Sequence, residues 1–285
     1  MQKVAIVTDS IACLTRELVE QYGIRIVPAN ILSGDKVYKD WVDITPDEAY
    51  ELFLKDPERF TTSPASPMDY LEAYREVSQR TKNILCVTIS TKLSTMYEVA
   101  RVAKDQAEAE LHQASIEVLD SQTATAAEGF VALAAARVAA EGKNLAEVVK
   151  ATEEVRDRVR VVILLDTVRY VYRSGRIPKV AARAGSIFNI RPIFTISSGA
   201  VHFVSVVRSR EHGIDQLLKK MRDKVGRNRV HIAVMHAYAR DEAERLKERV
   251  SSEFNCAELW LTEFSPVMGY ACGTGTLAFA FYCEG

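Results

Sequence analysis

The strongest constraint on this chain's fold is a rhythm in its first half. Four β-branched, apolar runs of strand length, Val4–Ser10, Ile24–Ser33, Ile84–Ser90 and Ile116–Ser121, alternate with helical patterns. Those patterns cover Leu14–Gly23, Thr45–Asp56, Pro67–Arg80 and Met96–Glu110. Such alternation predicts a parallel sheet with helices on both faces. Turns rich in Ser and Thr follow the runs: Ser10, the polar loop Thr61-Thr62-Ser63-Pro64-Ala65-Ser66-Pro67, Ser94, and Ser121. Ligands of open α/β sheets collect beyond the carboxyl ends of the strands. Hydroxyls and free N–H groups at helix starts suit an anionic head. No His, Cys pair or acid pair sits among these turns. The crevice therefore reads as a cup for an anion rather than a reaction centre.

An Ala-rich buried helix, from about Thr125 to Gly142, closes this unit, with Gly142 suited to a helix C′ position. The segment from Asn144 to Val159 reads as a helix leading into a second unit. That unit begins with the buried strand Arg160–Thr167 and a short helix. A hairpin turns at Ser198-Gly199, with Pro192 early in its first strand. Helices at His212–Val225 and Arg240–Phe254 follow, with strands at His231–Ala237, Ala257–Phe264 and Thr276–Glu284. The predicted architecture is two-domain α/β. An N-terminal parallel-sheet α/β/α domain spans 1–150, and a C-terminal α+β domain with a mixed sheet spans 151–285.

Composition narrows the function. Apolar residues are 48%, charged residues 26% and the net charge is −1, which gives no electrostatic ground for binding nucleic acid or a membrane surface. The five cysteines form no CxxC pair, consistent with a reducing compartment. No apolar run reaches the roughly 18 residues of a spanning helix. The start of the chain has no basic and apolar leader pattern, so a cytoplasmic location is expected.

Sharper motifs have plainer readings. Asp9 lacks the DxDxT partner of an aspartyl-phosphate nucleophile, since Ile11 and Ala12 follow, and a capping role for Asp9-Ser10 is favoured. Gly273-Thr274-Gly275-Thr276-Leu277-Ala278 fits GxGxxG/A but enters a strand instead of leaving one. His231 and His236, five apart on a strand, point to opposite faces and make a poor metal pair. Thr62, Ser63 and Ser94 suit helix capping as well as ligand binding. Arg173 and Arg176 flank Gly175 in an exposed-looking turn that suits either a partner surface or a solvated loop. Met68, Met96, Met235 and Met268 lie near the crevice, where tunnel lining competes with ordinary gap filling.

Eight short elements, in order, carry a resemblance. They are TDS at 8–10, Thr62-Ser63-Pro64-Ala65-Ser66-Pro67, the IST-KLS stretch at 89–94, DSQT at 120–123, SGRI at 174–177, Arg191-Pro192-Ile193, VVRSRE around Arg208, and SPVMGYACGTG at 265–275. On these the chain resembles the DegV family of bacterial fatty-acid-binding proteins almost end to end. The resemblance implies two α/β domains enclosing a long-chain fatty acid, its carboxylate at the junction and its tail in an apolar tunnel. It implies that Thr62 and Ser94 hold the carboxylate, with Arg208 near the headgroup. It also implies a carrier without catalysis or cofactor, which in some members presents its lipid to a separate fatty acid kinase.

The family's LSGT reads Leu93-Ser94-Thr95-Met96 here, and its His before Gly-Pro-Gly is replaced by Ala271, ahead of Cys272-Gly273-Thr274-Gly275. Tyr270 offers a phenolic O–H beside that position. The expected ligand-binding set is Thr62, Ser63, Ser94, Thr95, Arg208, Tyr270 and Gly273, with no catalytic residue and no metal. Two alternatives stay open. One is an enzyme, either a Ser-dependent acyl hydrolase with His202 or His236 as base or a phosphotransferase using Asp9. The other is a binder of a different amphiphile.

Overall fold

A computed structural model describes residues 3–111, 114–170, 173–176 and 190–284. Strands β1 (Val4–Asp9), β2 (Arg25–Val27), β6 (Asn83–Thr88) and β7 (Ser115–Asp120) form a parallel sheet in the order β2-β1-β6-β7. Because β1 is buried along its whole length, every position is apolar or internally hydrogen-bonded, as in a strand covered on both faces. Helices α3 (Pro67–Ser78) and α4 (Met96–Glu110) cover the face that carries Cys86. Helix α5 (Ala126–Ala140) lies on the opposite face, where Glu128 meets Thr8.

The run Ile24–Ser33, expected as one strand, is two. Pro28 has no N–H to continue a ladder, and the Ala29 N–H turns to the Ser10 hydroxyl at 3.2 Å. Beyond that break β3 (Asn30–Ser33) joins β4 (Lys36–Lys39) and β5 (Phe60–Ser63) in a separate antiparallel sheet, order β4-β3-β5. The polar loop of 61–67 is thus partly strand: Thr61, Thr62 and Ser63 belong to β5. Helix α2 (Pro46–Lys55) and a short α9 (Pro266–Cys272) pack against this small sheet through Phe53, Phe60 and Ile31.

The six-stranded mixed sheet runs β10 (Ala200–Val207), β9 (Arg191–Ser197), β8 (Arg160–Leu164), β13 (Leu277–Cys283), β11 (Val230–His236), β12 (Cys256–Glu263). Only β11 and β12 are parallel, and α8 (Arg240–Glu253) connects them. The β9–β10 hairpin turns at Ser198 and Gly199, with φ of 48° and 80°, the two left-handed residues of a two-residue turn. After β8 the chain makes turns at 166–170 rather than the expected short helix. Helix α7 (Arg210–Val225) and α8 cover the outer face of this sheet with Leu217, Met221 and Leu246.

The inner face meets α5. A helix apolar all round must be covered all round, and α5 is: residues 126–136 are buried without a gap. Its Phe130 packs edge-on against Trp260 and Tyr282, each ring centroid 5.2 Å away. One apolar core therefore contains Val7 and Val87 of the parallel sheet, Phe130, and Ile163, Ala233 and Ala278 of the mixed sheet. Helix α6 (Leu145–Arg158), capped by Asn144, links the halves.

Candidate functional site

A cavity lies where the carboxyl ends of β1 and β6 face the β8–β9–β10 part of the mixed sheet, with α9 closing one side. It encloses about 890 Å³ of empty space, its mouth included. Most of its wall is apolar: Ile11 and Ile89 beyond β1 and β6, Leu165, Phe194 and Val201 from the mixed sheet, and Met268 from α9 are among the residues that line it. Its polar lining is Thr62, Ser63, Ser94, Ser174, Arg176 and Tyr270.

Local chemistry explains why the hydroxyls are presented. Ser66, not Thr62 or Ser63, caps α3. It accepts from the Asp69 N–H at 3.2 Å, and Asp69 returns a bond to the Ser66 N–H at 2.8 Å. Thr62 and Ser63 are thereby free of the capping duty that was the plainer reading. Ser63 accepts from the Asn30 amide at 3.2 Å. Ser94 precedes α4 and accepts from the Met96 N–H at 3.3 Å, so it orders the helix start and faces the cavity at once. Ser174 accepts from the Arg176 N–H at 3.3 Å, and Arg176 donates from Nε to the Leu93 carbonyl at 3.2 Å. Ser174 and Arg176 of the SGRI element thus line the cavity; its Ile177 lies outside the described residues.

Three expected ligand residues stand elsewhere. Arg208 is exposed and does not line the cavity: it follows the end of β10, where its carbonyl accepts from Arg191 Nη1 at 2.9 Å. The neighbouring arginines are paired, Arg191 with Asp166 at 2.9 Å and Arg210 with Glu242 through bonds of 2.8 and 2.6 Å. Among the described residues, the cation that lines the cavity is Arg176, weighed from sequence as a partner surface or a solvated loop. Thr95 is exposed at the N-cap position of α4, with no capping bond from its side chain. Gly273 ends α9 at φ 82°, and a Cβ there would stand 2.5 Å from the Tyr170 ring. Its lack of a side chain admits the Tyr170 ring.

Sequence reasoning missed the mixed-sheet wall and Cys272. The hairpin alternation of apolar residues at 194, 196 and 201 was a signal for burial but not for a cavity. Of the four methionines, Met96 and Met268 line the cavity, Met235 is core, and Met68 is exposed. Ala271 is buried and lines the cavity. Burial pushes the Cys272 thiol up to about 12, which makes it a small apolar wall group at neutral pH.

The groups weighed as a general base or nucleophile, His202, His236 and Asp9, are not among the lining residues. His236 is buried, 3.6 Å from Glu263, and burial lowers it to about 4. His202 is exposed, with Nε2 3.1 Å from the Ser197 carbonyl. Neither lines the cavity. Asp9 is buried beneath the crevice and accepts from the Ile11 and Ile89 N–H groups at 3.0 and 3.1 Å, as expected of a structural residue. Burial raises it to about 6. Among the described residues, no group of three or more His, Cys, Asp or Glu is placed to hold a metal ion.

Fold and cavity together define an α/β protein built on a parallel and a mixed sheet, with a mostly apolar cavity that also carries hydroxyls. Known proteins share this fold. A sequence model described as "Uncharacterised protein, DegV family" matches residues 3–284, and the chain belongs to the DegV family. It is 32% identical over 279 residues to a DegV domain-containing protein of Caldanaerobacter subterraneus subsp. tengcongensis, covering 98% of this chain and 96% of that one. It is also 32% identical over 277 residues to one of Streptomyces coelicolor, with 96% of each covered. A DegV family protein from Thermus thermophilus, described for its fatty acid binding, has the same fold with a TM-score of 0.89 at 28% identity, covering 99% of this chain and all of that one. A stearic-acid-binding protein from Eubacterium ventriosum shares the fold at TM-score 0.89 and 23% identity, with 98% of each chain covered. Among the described residues, no helix is long and apolar enough to cross a membrane.

Proposed function

We propose that this chain binds a long-chain fatty acid, with its carboxylate at the hydroxyl end of the cavity and its tail along the apolar wall. Thr62, Ser63, Ser94 and Tyr270 supply the hydroxyls, and Arg176 supplies charge at the mouth. The observation that carries the reading is the composition of the lining: a mostly apolar wall that also presents the hydroxyls of Thr62, Ser63, Ser94 and Tyr270 and the guanidinium of Arg176. The fatty acid binding described for the Thermus relative supports it.

Magnitudes divide the labour. Each buried methylene contributes about 0.8 kcal/mol, so a sixteen-carbon tail contributes roughly 12 kcal/mol before ordering costs. A hydrogen bond to a charged group nets about 1.5–3 kcal/mol. The tail dominates affinity and the head set fixes orientation, so replacement of the family histidine by Ala271 weakens head recognition without removing the tail's contribution. Presentation of the bound acid to a separate fatty acid kinase belongs to the same reading. The exposed Arg176 marks the head end as the one a second protein reaches.

The test is native mass spectrometry of the purified protein, followed by organic extraction. A fatty acid near one per chain, reduced in Thr62→Ala/Ser94→Ala, is expected. A chain that neither copurifies with a fatty acid nor takes one up on addition sinks the proposal.

A further inference from the structure

The turn that carries Ser94 is built around a side chain that does not line the cavity. Ser90, fully buried, stands just beyond β6. Its carbonyl accepts from the N–H groups of Leu93 at 2.9 Å and Ser94 at 3.0 Å, closing the turn. Its hydroxyl accepts from the Lys92 N–H at 3.2 Å and donates to the Gly199 carbonyl at 2.8 Å. Gly199 is the second tip residue of the β9–β10 hairpin. That hairpin brings Phe194, Ile196 and Val201 to the cavity wall. The approach is close enough that a Cβ on Gly199 would stand 2.5 Å from Ser90 Oγ, and its φ of 80° favours glycine as well.

One hydroxyl therefore ties a turn of the parallel sheet, bearing a head-group residue, to a hairpin of the mixed sheet, bearing tail-group residues. We infer that Ser90 is the positioning residue of this site: its bond to Gly199 sets the Ser94 hydroxyl and the hairpin wall relative to each other, although Ser90 touches no ligand. Removing the hydroxyl leaves the Lys92 N–H and the buried Gly199 carbonyl without their partner, a state the protein relieves by opening both segments to water. The effect on ligand rests on the fatty-acid reading; the effect on the two segments does not.

The experiment compares wild type with Ser90→Ala, Gly199→Ala and the double variant. Amide hydrogen exchange is followed in the ligand-free chain, and affinity is measured for hexadecanoate and for hexadecanol. In Ser90→Ala, exchange is expected to quicken in peptides covering 90–96 and 196–203 together, with α5 and α7 unchanged. Hexadecanoate is expected to weaken by about tenfold, the worth of one hydrogen bond to a charged group. Hexadecanol, which has no carboxylate for Ser94 to meet, is expected to weaken less. The two substitutions break the same contact, so their combined effect on exchange is expected to fall short of additive. Quickened exchange confined to 90–96, or strict additivity, overturns the inference. Equal weakening of acid and alcohol overturns its positioning part. If the wild type binds neither lipid, the functional proposal fails, and the exchange data still decide whether Ser90 joins the two segments.

Discussion

Asp40 offers a sharp test of how burial is handled in this fold. It is fully buried at the end of β4, where Oδ2 accepts from the Ser265 hydroxyl at 2.6 Å while Oδ1 has no partner among the described residues. Ser265 in turn accepts from the Val267 N–H at 3.2 Å at the start of α9, so Asp40 anchors the helix that closes the cavity. Burial, opposed by the Ser265 bond, raises the carboxyl from 3.8 to about 6. Between these values the folded chain binds the proton more often than the unfolded one, so stability falls as pH rises. The contribution is whole below pH 4 and is lost as pH passes through about 6. Two units at about 1.36 kcal/mol each put the loss near 3 kcal/mol by pH 8. Asp40→Asn is neutral throughout. Urea unfolding of both proteins at pH 4.5, 5.5, 6.5 and 8 should show wild type losing about 2 kcal/mol relative to the variant over that range, most of it between pH 4.5 and 6. Asp9 and Glu128 titrate in both chains and largely cancel in that difference. Parallel pH curves would refute the reasoning and make Asp40 an ordinary exposed-like carboxylate.

Three further outcomes are expected. Phe130→Ala should cost about 3–5 kcal/mol, because it empties a site between two sheets. Its urea transition should stay single, with fluorescence and circular dichroism coincident, since one core serves both halves. Gly269→Ala should destabilise by about 1–3 kcal/mol or more in thermal denaturation, because its Cβ would stand 2.3 Å from the Tyr50 ring, which is pinned by a 2.9 Å bond from its hydroxyl to the Phe264 carbonyl. Arg208→Ala should leave fatty acid affinity, measured by fluorescent-probe displacement, within about twofold, whereas Arg176→Ala should weaken it by about tenfold or more. The reverse order would return the head-group role to Arg208.

Much of the polar lining of the cavity was legible because its residues lie in or beside short turns that follow strand-like runs. Ser94 is such a case, and so is the placement of Thr62 and Ser63 ahead of α3. Their settings were less so. The stretch around Thr62 reads as loop because three polar residues in succession carry no alternation; it becomes β5 only because Asn30–Ser33 pairs with it. Arg208 was assigned to the ligand on resemblance, and the chain direction after β10 carries it to the outside. Arg176, in a turn that suited either a partner surface or a solvated loop, is held at the cavity by the bond from its guanidinium to the Leu93 carbonyl, a residue 83 positions earlier.

The line between the two sources of knowledge follows the range of the interactions. Periodicity, caps and turn chemistry are local, so the strand–helix alternation, the buried character of α5 and the Ser198-Gly199 hairpin could be read from neighbouring residues alone. The chamber could not. It exists because α5 is covered by a sheet on each side, because Thr262 reaches the Cys13 carbonyl 249 residues away and Tyr50 the Phe264 carbonyl 214 residues away, and because Ser90 meets a hairpin 109 residues further on. No local pattern records which distant surfaces will exclude water from each other, and that exclusion shapes the cavity.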